Sequence, residues 1–146
     1  MINIRRNVFE TNSSSSHSIS ISSRDNLFSN LSQDEDGIIT LNGGQFGWSG
    51  GDFFDAETKA NYCAVDSYNN PEEREMLRRV IKEHTGCKDV VFNINFEYDC
   101  GDVSYIDHQS HGTSQEAFES EATLKRFLFN PESYITIDND NHYDYE

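Results

Sequence analysis

A stretch rich in hydroxyl groups follows an arginine pair near the start of the chain. Residues 11–16 include four consecutive serines, and His17 comes directly after them. Hydroxyls and backbone N–H groups in such a run can converge on a phosphate or a carbonyl oxygen. This stretch can also be a polar loop that binds no ligand. The glycine-rich segment 42–54 contains Trp48, which can either stack on a ligand or be buried by tight turns of the backbone. The candidate ligand-binding residues are Arg5, Arg6, Thr11, Asn12, Ser13, Ser14, His17 and Trp48.

A serine near a histidine can also be an activated nucleophile, provided that a third group orients the imidazole. A second polar cluster, residues 107–112, follows a predicted strand and holds two more histidines. Nucleophile and base usually meet in space rather than in sequence, so adjacency alone is a weak signal. The simpler interpretation is that the protein is not an enzyme. If it is an enzyme, the predicted catalytic residues are Ser15, His17, Asp107 and His108.

The same second cluster is a candidate metal site. His108 and His111 can ligate a divalent metal together with Asp107 or a distant carboxylate. An H-x-x-H spacing outside a helix is a weak metal signal, and the alternatives are a polar loop or a metal-free binding site. Residues 138–142 resemble the start of a calcium loop but lack the glycine and the glutamate that such a loop requires. No cofactor is therefore predicted.

The charge of the chain is strongly negative and unevenly distributed. Twenty-six acidic residues against eleven Lys and Arg give a net charge of -15. Residues 1–88 carry 13 acids and 9 bases, whereas residues 89–146 carry 13 acids and 2 bases. Such a field repels nucleic acid and anionic lipid and attracts basic surfaces. Solubility alone is the alternative explanation. The candidate partner-binding residues are Asp99, Asp102, Asp138, Asp140 and Asp144.

Periodicity and capping signals predict the elements that must position these groups. Asn70 and Pro71 favour a helix start, and Gly86 favours its end. Thr113 and Glu116 form a capping box, and Asp55 is an expected N-cap. The predicted helices are 55–68, 71–85 and 113–129; the predicted strands are 2–10, 18–22, 38–41, 89–98, 103–107 and 134–137, with a loop at 11–16, a hairpin turn at 99–102 and an undecided helical turn at 24–31.

This order of elements predicts an α+β fold with a mostly antiparallel sheet and two to three packed helices. Residues 1–137 are expected to form one domain, followed by an acidic C-terminal tail at residues 138–146. Three cysteines without C-x-x-C spacing favour free thiols in a reducing compartment. We see no signal peptide and no apolar run long enough to span a membrane, so a cytoplasmic protein is expected.

Several segments resemble a group of small proteins that tailed bacteriophages encode. The opening segment, residues 5–18 (RRNVFETNSSSSHS), carries the main resemblance. Residues 59–64, 105–110 and 137–142 are similar to the same group. The resemblance implies expression in the cytoplasm of a bacterial host, and it implies no particular activity.

Two functions from different classes follow from these observations. The first is a phage accessory or counter-defence protein that binds and inhibits a host or defence protein. It would cover a basic nucleic-acid-binding surface, as a DNA mimic or an anti-CRISPR-type protein does, with no direct nucleic-acid or membrane binding. The second is a small nucleotide- or phosphate-binding protein, or a hydrolase, with a Ser/His loop site. The sequence leaves the oligomeric state open.

Overall fold

The computed structural model describes residues 15–47, 50–96, 104–106 and 112–139.

Side chains alternate between inside and outside along the first strand of these residues. Strand β1 (Ser15–Ser20) turns Ser15, His17 and Ile19 inward and exposes the serines between them. The predicted strand at 18–22 begins three residues earlier, so Ser15 and Ser16 do not belong to a loop. Apolar alternation did not reveal this start because its inward residues are hydrogen-bonded polar side chains.

Among the described residues, the largest sheet is antiparallel and has three strands. Strand β7 (Tyr134–Asn139) lies in the middle, and its Ile135 and Ile137 are buried. His17 of β1 is opposite Ile137, and Phe53 of β4 (Gly51–Phe53) is opposite Ile135. The strand predicted at 134–137 is thus present and extends to Asn139, so Asp138 is part of the sheet.

Two pairs of short strands are parallel. Strand β2 (Ile38–Leu41) pairs with β5 (Asp89–Phe92), and β3 (Gln45–Phe46) pairs with β6 (Tyr105–Ile106).

Of the strand predicted at 89–98, the structure assigns Asp89–Phe92 as a strand and pairs it with β2. A single backbone bond, from Ser104 N to Asn95 O, links the two predicted arms within the described part. The predicted turn at 99–102 lies outside the described residues. Parallel pairing joins segments far apart in the chain, so local alternation could not predict it.

Two helices have the predicted caps. Helix α1 (Ala56–Asp66) is capped by the Asp55 carboxylate, which accepts a hydrogen bond from Thr58 N at 2.8 Å. Helix α2 (Pro71–Thr85) starts after Asn70 and stops at Gly86, whose φ of 74° suits glycine. These capping predictions are confirmed because each depends only on residues that neighbour one another in sequence.

Asn70→Ala should lower the free energy of unfolding by about 1 kcal/mol, because the Asn70 side chain accepts bonds from two backbone N–H groups of α2. Urea unfolding monitored by circular dichroism measures the change. Asn69→Ala is the control, since Asn69 is exposed and precedes the cap. Equal effects of the two substitutions would contradict this role for Asn70.

The helix predicted at 113–129 is divided in two. A 3-10 helix covers Thr113–Glu119, and α3 (Glu121–Phe129) begins anew with Ser120 as its N-cap. Gly112, with a φ of 91°, takes the cap position of the 3-10 helix, so the predicted Thr113 capping box is wrong.

The Asp66 carboxylate of α1 caps the start of the 3-10 helix in place of the predicted capping box. It accepts bonds from Gly112 N at 2.8 Å, Ser114 N at 3.1 Å and Ser114 Oγ at 2.7 Å. The start of the 3-10 helix is therefore fixed by a residue nearly fifty positions away, which no local motif reports.

The predicted α+β class with a mostly antiparallel sheet is confirmed. A single core contains the buried faces of the helices and of β7. Residues 24–31, left undecided between helix and loop, contain no helix. Among the helices of the described residues, none is both long and apolar enough to cross a membrane. The strand predicted at 2–10 and residues 140–146 of the predicted tail lie outside the part that is described.

Candidate functional site

Ser15, His17 and Tyr62 form a chain of two hydrogen bonds. His17 Nε2 lies 2.8 Å from Ser15 Oγ, and His17 Nδ1 lies 2.6 Å from Tyr62 Oη. Ser15 is 5% exposed, Tyr62 is completely buried and His17 is half-buried. Both ring nitrogens of the histidine thus have a hydroxyl partner, and the imidazole is held in one orientation.

Two elements bring this chain together. Ser15 and His17 are two residues apart in β1 and therefore point to the same face of the strand. Tyr62 comes from the middle of α1, and its ring packs edge-on against Phe46 with a centroid distance of 4.9 Å. The contact of His17 with Tyr62 spans 45 positions. The orienting group required for a serine nucleophile is therefore present, as a tyrosine hydroxyl in place of a carboxylate.

The tautomer of His17 decides what the chain can do. With the proton on Nδ1, the imidazole donates to Tyr62 and its Nε2 accepts from the Ser15 hydroxyl, as a general base must. With the proton on Nε2, the ring donates to Ser15 instead and accepts from Tyr62, and Ser15 is not activated. A neutral tyrosine orients the ring but gives an imidazolium less stabilisation than a carboxylate would.

Lys59 lies one helical turn before Tyr62 and is also completely buried. Its Nζ donates to Asn130 O at 3.0 Å and to Ser133 O at 2.8 Å. Burial lowers the pKa of Lys59 to about 8, although the charge of Asp55 opposes the shift. The two carbonyls belong to the turn between α3 and β7, so Lys59 joins α1 to that turn.

Sequence reasoning missed both Lys59 and Tyr62. Lys59 follows Ala56 by three residues and precedes Cys63 by four, so it stands on the small-residue stripe that faces the core. The presence of a lysine in the middle of such a stripe was the signal from which its burial could have been predicted. Tyr62 carried no local signal, because its role depends on a strand far away in sequence.

The other predicted site residues are mostly outside the described part. Ser15 and His17 are brought together, and Asp138 is exposed on β7. Among the residues that the structure describes, no group of three or more His, Cys, Asp or Glu could hold a metal ion. The remaining predicted site residues lie outside the described part of the chain: Arg5, Arg6, Thr11, Asn12, Ser13, Ser14, Trp48, Asp99, Asp102, Asp107, His108, His111, Asp140 and Asp144.

Most described cations are engaged by acceptors on the protein. Four form ion pairs: Arg24 with Glu132, Arg78 with Glu75 and Asp89, Arg79 with Glu121, and Lys125 with Glu83. Arg74 donates to the Tyr68 carbonyl at 2.7 Å. The carboxylates outnumber these cations, and many are exposed, so the described surface is dominated by negative charge.

Comparison with protein-family models, with curated proteins and with solved structures found no match to this chain.

Proposed function

We propose that this chain is an acidic accessory protein that binds and inhibits a host or defence protein by covering a basic, nucleic-acid-binding surface. The observation that carries the proposal is the net charge of -15, concentrated in residues 89–146. Complementary potentials speed association and compete with nucleic acid for the same surface. The resemblance to phage proteins makes a bacterial cytoplasm the proposed setting.

The experiment is a pull-down from bacterial lysate at low and moderate salt, followed by a nucleic-acid competition assay with the captured protein. The test variant changes Asp99, Asp102, Asp138, Asp140 and Asp144 to Asn. The control variant removes five exposed carboxylates from residues 1–88, which are Glu35, Asp36, Glu57, Glu72 and Glu75.

We expect the test variant to lose inhibition and the control variant, with the same charge change, to keep most of it. The affinity of the unmodified protein should fall as salt rises, because exposed charges are screened. Inhibition that survives in the test variant, or a capture that is insensitive to salt, would contradict the proposal.

A second candidate function rests on the Ser15–His17–Tyr62 chain. The Nε2–Oγ distance of 2.8 Å is within the range for a serine and its general base. In a hydrolase of this type, the Ser15 oxygen attacks an ester or phosphoryl centre while its proton passes to His17 Nε2. The bond to the leaving-group oxygen breaks, His17 returns the proton to that oxygen, and water then cleaves the ester formed on Ser15. Ser15 is only 5% exposed, so the substrate would have to approach along the half-buried imidazole.

Labelling with a fluorophosphonate tests this candidate. A reactive Ser15 would form a P–O bond, fluoride would leave, and the hydroxyl proton would pass to His17. We expect labelling of the unmodified protein, none of Ser15→Ala, and slower labelling of Tyr62→Phe, which loses the orienting hydroxyl. Ser16→Ala is the control, because Ser16 is exposed and points to the other face of β1. Unlabelled protein, or equal labelling of Ser15→Ala, rules the candidate out.

A further inference from the structure

A half-open cleft of about 240 Å³ lies between α2, α3 and the segment 24–28, away from β1. Glu83 of α2 and Lys125 of α3 line it and form an ion pair at 3.0 Å. Glu121 lines it and binds Arg79 at 2.8 Å. The volume corresponds to about eight waters at roughly 30 Å³ each, which is below the range of drug-sized pockets. A ligand for this cleft would therefore be small.

Two further residues of the cleft carry opposite charges that other described residues do not neutralise. Arg126 is half-buried, and its Nε is buried without a hydrogen-bond partner. Its guanidinium makes no ion pair within the described part of the chain, and neither does the exposed carboxylate of Asp25. The Nε atom is closed to an occupant of the cleft, so a ligand there would meet the outer nitrogens of the guanidinium, which have no carboxylate partner among the described residues.

The placement of the cations is unusual for this chain. Residues 89–146 contain only two bases, Lys125 and Arg126, and both line the cleft. Leu27 and Ala122 add an apolar part to its wall. The cleft thus combines one uncompensated cation, one uncompensated carboxylate and a small apolar surface. The complement of that combination is a zwitterion with an aliphatic side chain.

We propose that this cleft binds a free aliphatic α-amino acid, whose carboxylate accepts hydrogen bonds from Arg126 and whose ammonium group pairs with Asp25. Leu27 and Ala122 contact the side chain. Inorganic phosphate has neither an ammonium group for Asp25 nor a side chain for Leu27 and Ala122, so it should bind more weakly than the amino acid. This site is independent of the acidic surface proposed above and of the Ser15–His17–Tyr62 chain.

Calorimetric titration of the full chain with L-leucine tests the proposal. Two matched compounds each lack one charge: isocaproate lacks the ammonium group and isoamylamine lacks the carboxylate. We expect leucine to bind at millimolar concentration, and each matched compound and inorganic phosphate to bind at least about tenfold more weakly. No heat with leucine, or equal binding of leucine and either matched compound or phosphate, overturns the proposal.

Two variants assign the contacts. Arg126→Gln and Asp25→Asn should each weaken leucine binding about tenfold or more, whereas Lys82→Gln, an exposed lysine of α2 outside the cleft lining, should bind like the unmodified protein. The thermal midpoint of each unliganded variant reports whether it is folded. If Arg126→Gln does not fold, Asp25→Asn decides alone, because Asp25 lies exposed in a segment without helix or strand. Unchanged binding in Asp25→Asn overturns the proposal.

Discussion

Lys59→Ala should lower the free energy of unfolding by about 4 kcal/mol. The substitution empties the volume of a completely buried side chain and leaves two carbonyl oxygens, Asn130 O and Ser133 O, without their donor. A buried cavity and unsatisfied acceptors each cost stability. Urea denaturation at neutral pH, followed by tryptophan fluorescence and circular dichroism, measures the loss.

Lys59→Met separates the two causes, because methionine refills most of the volume but cannot donate. We expect it to cost about half as much, roughly 2 kcal/mol, since removing a buried charge also relieves its desolvation. Lys82→Ala, on the exposed side of α2, should change stability by less than about 0.5 kcal/mol. If Lys59→Ala were as mild as Lys82→Ala, the bonds to the turn between α3 and β7 would contribute nothing.

Lys59 should also contribute more to stability as the pH rises from about 8 toward 10.5. Burial lowers the pKa of Lys59 from 10.5 to about 8, so between these values the unfolded chain binds more protons at this group than the folded chain. The contribution of Lys59 to the free energy of unfolding therefore rises with pH, by up to about 3 kcal/mol at 1.36 kcal/mol per pH unit. This stabilisation is lost again as the pH falls through 8.

The ionisation of Cys63 changes stability in the opposite direction as the pH rises. Burial and the charge of Asp66 raise the pKa of its thiol above the usual 9.0, so the unfolded thiol ionises first and stability falls above pH 9. The rise should thus be clearest between pH 8 and 9. Lys59→Met should show only the fall. A rise of the same size in Lys59→Met would mean that another group causes it.

Asp66→Ala should lower the free energy of unfolding by about 3 kcal/mol, because one carboxylate accepts three hydrogen bonds at the start of the 3-10 helix. Asp66→Asn keeps one acceptor oxygen and should cost less. Asp36→Ala, an exposed aspartate in a turn, is the matched control and should be nearly neutral. Thermal and urea unfolding provide the comparison.

The pKa of Glu73 reports locally on the charge of Asp66. Partial burial and the charge of Asp66 raise the pKa of Glu73, which accepts a hydrogen bond from Gln115 at 2.8 Å. In Asp66→Asn the pKa of Glu73 should move down toward its ordinary value, as measured by an NMR titration of the carboxyl carbon. A pKa that does not move, together with unchanged stability of Asp66→Ala, would contradict the role assigned to Asp66.

The predictions that succeeded depended on local chemistry. Asp55 and Asn70 begin their helices and Gly86 ends one through groups within four residues, so the sequence contained the whole reason. The capping box at Thr113 failed because the Asp66 carboxylate, supplied by another element, fixes a different start. Where a distant group competes with a local signal, tertiary contacts decide the result.

The candidate site follows the same division. The sequence pattern predicted a loop at Ser15, whereas the structure extends β1 back to Ser15 and so brings Ser15 and His17 together on one face. The third member, Tyr62, needed the packing of α1 on the sheet, which no spacing predicts. Lys59 was readable as a lysine on a core stripe, but its two acceptors come from a turn more than seventy positions later.

Strand β7 lies between β1 and β4, although it is the last of the described elements to be synthesised. On the ribosome, β1 and β4 emerge long before the strand that hydrogen-bonds to both. The two carbonyl acceptors of Lys59, Asn130 O and Ser133 O, also emerge late, directly before β7. The sheet can therefore close only late in synthesis, and pairing across such separations is slow. A nascent chain stalled before residue 134 should remain sensitive to protease, and one extended well past residue 139 should become resistant.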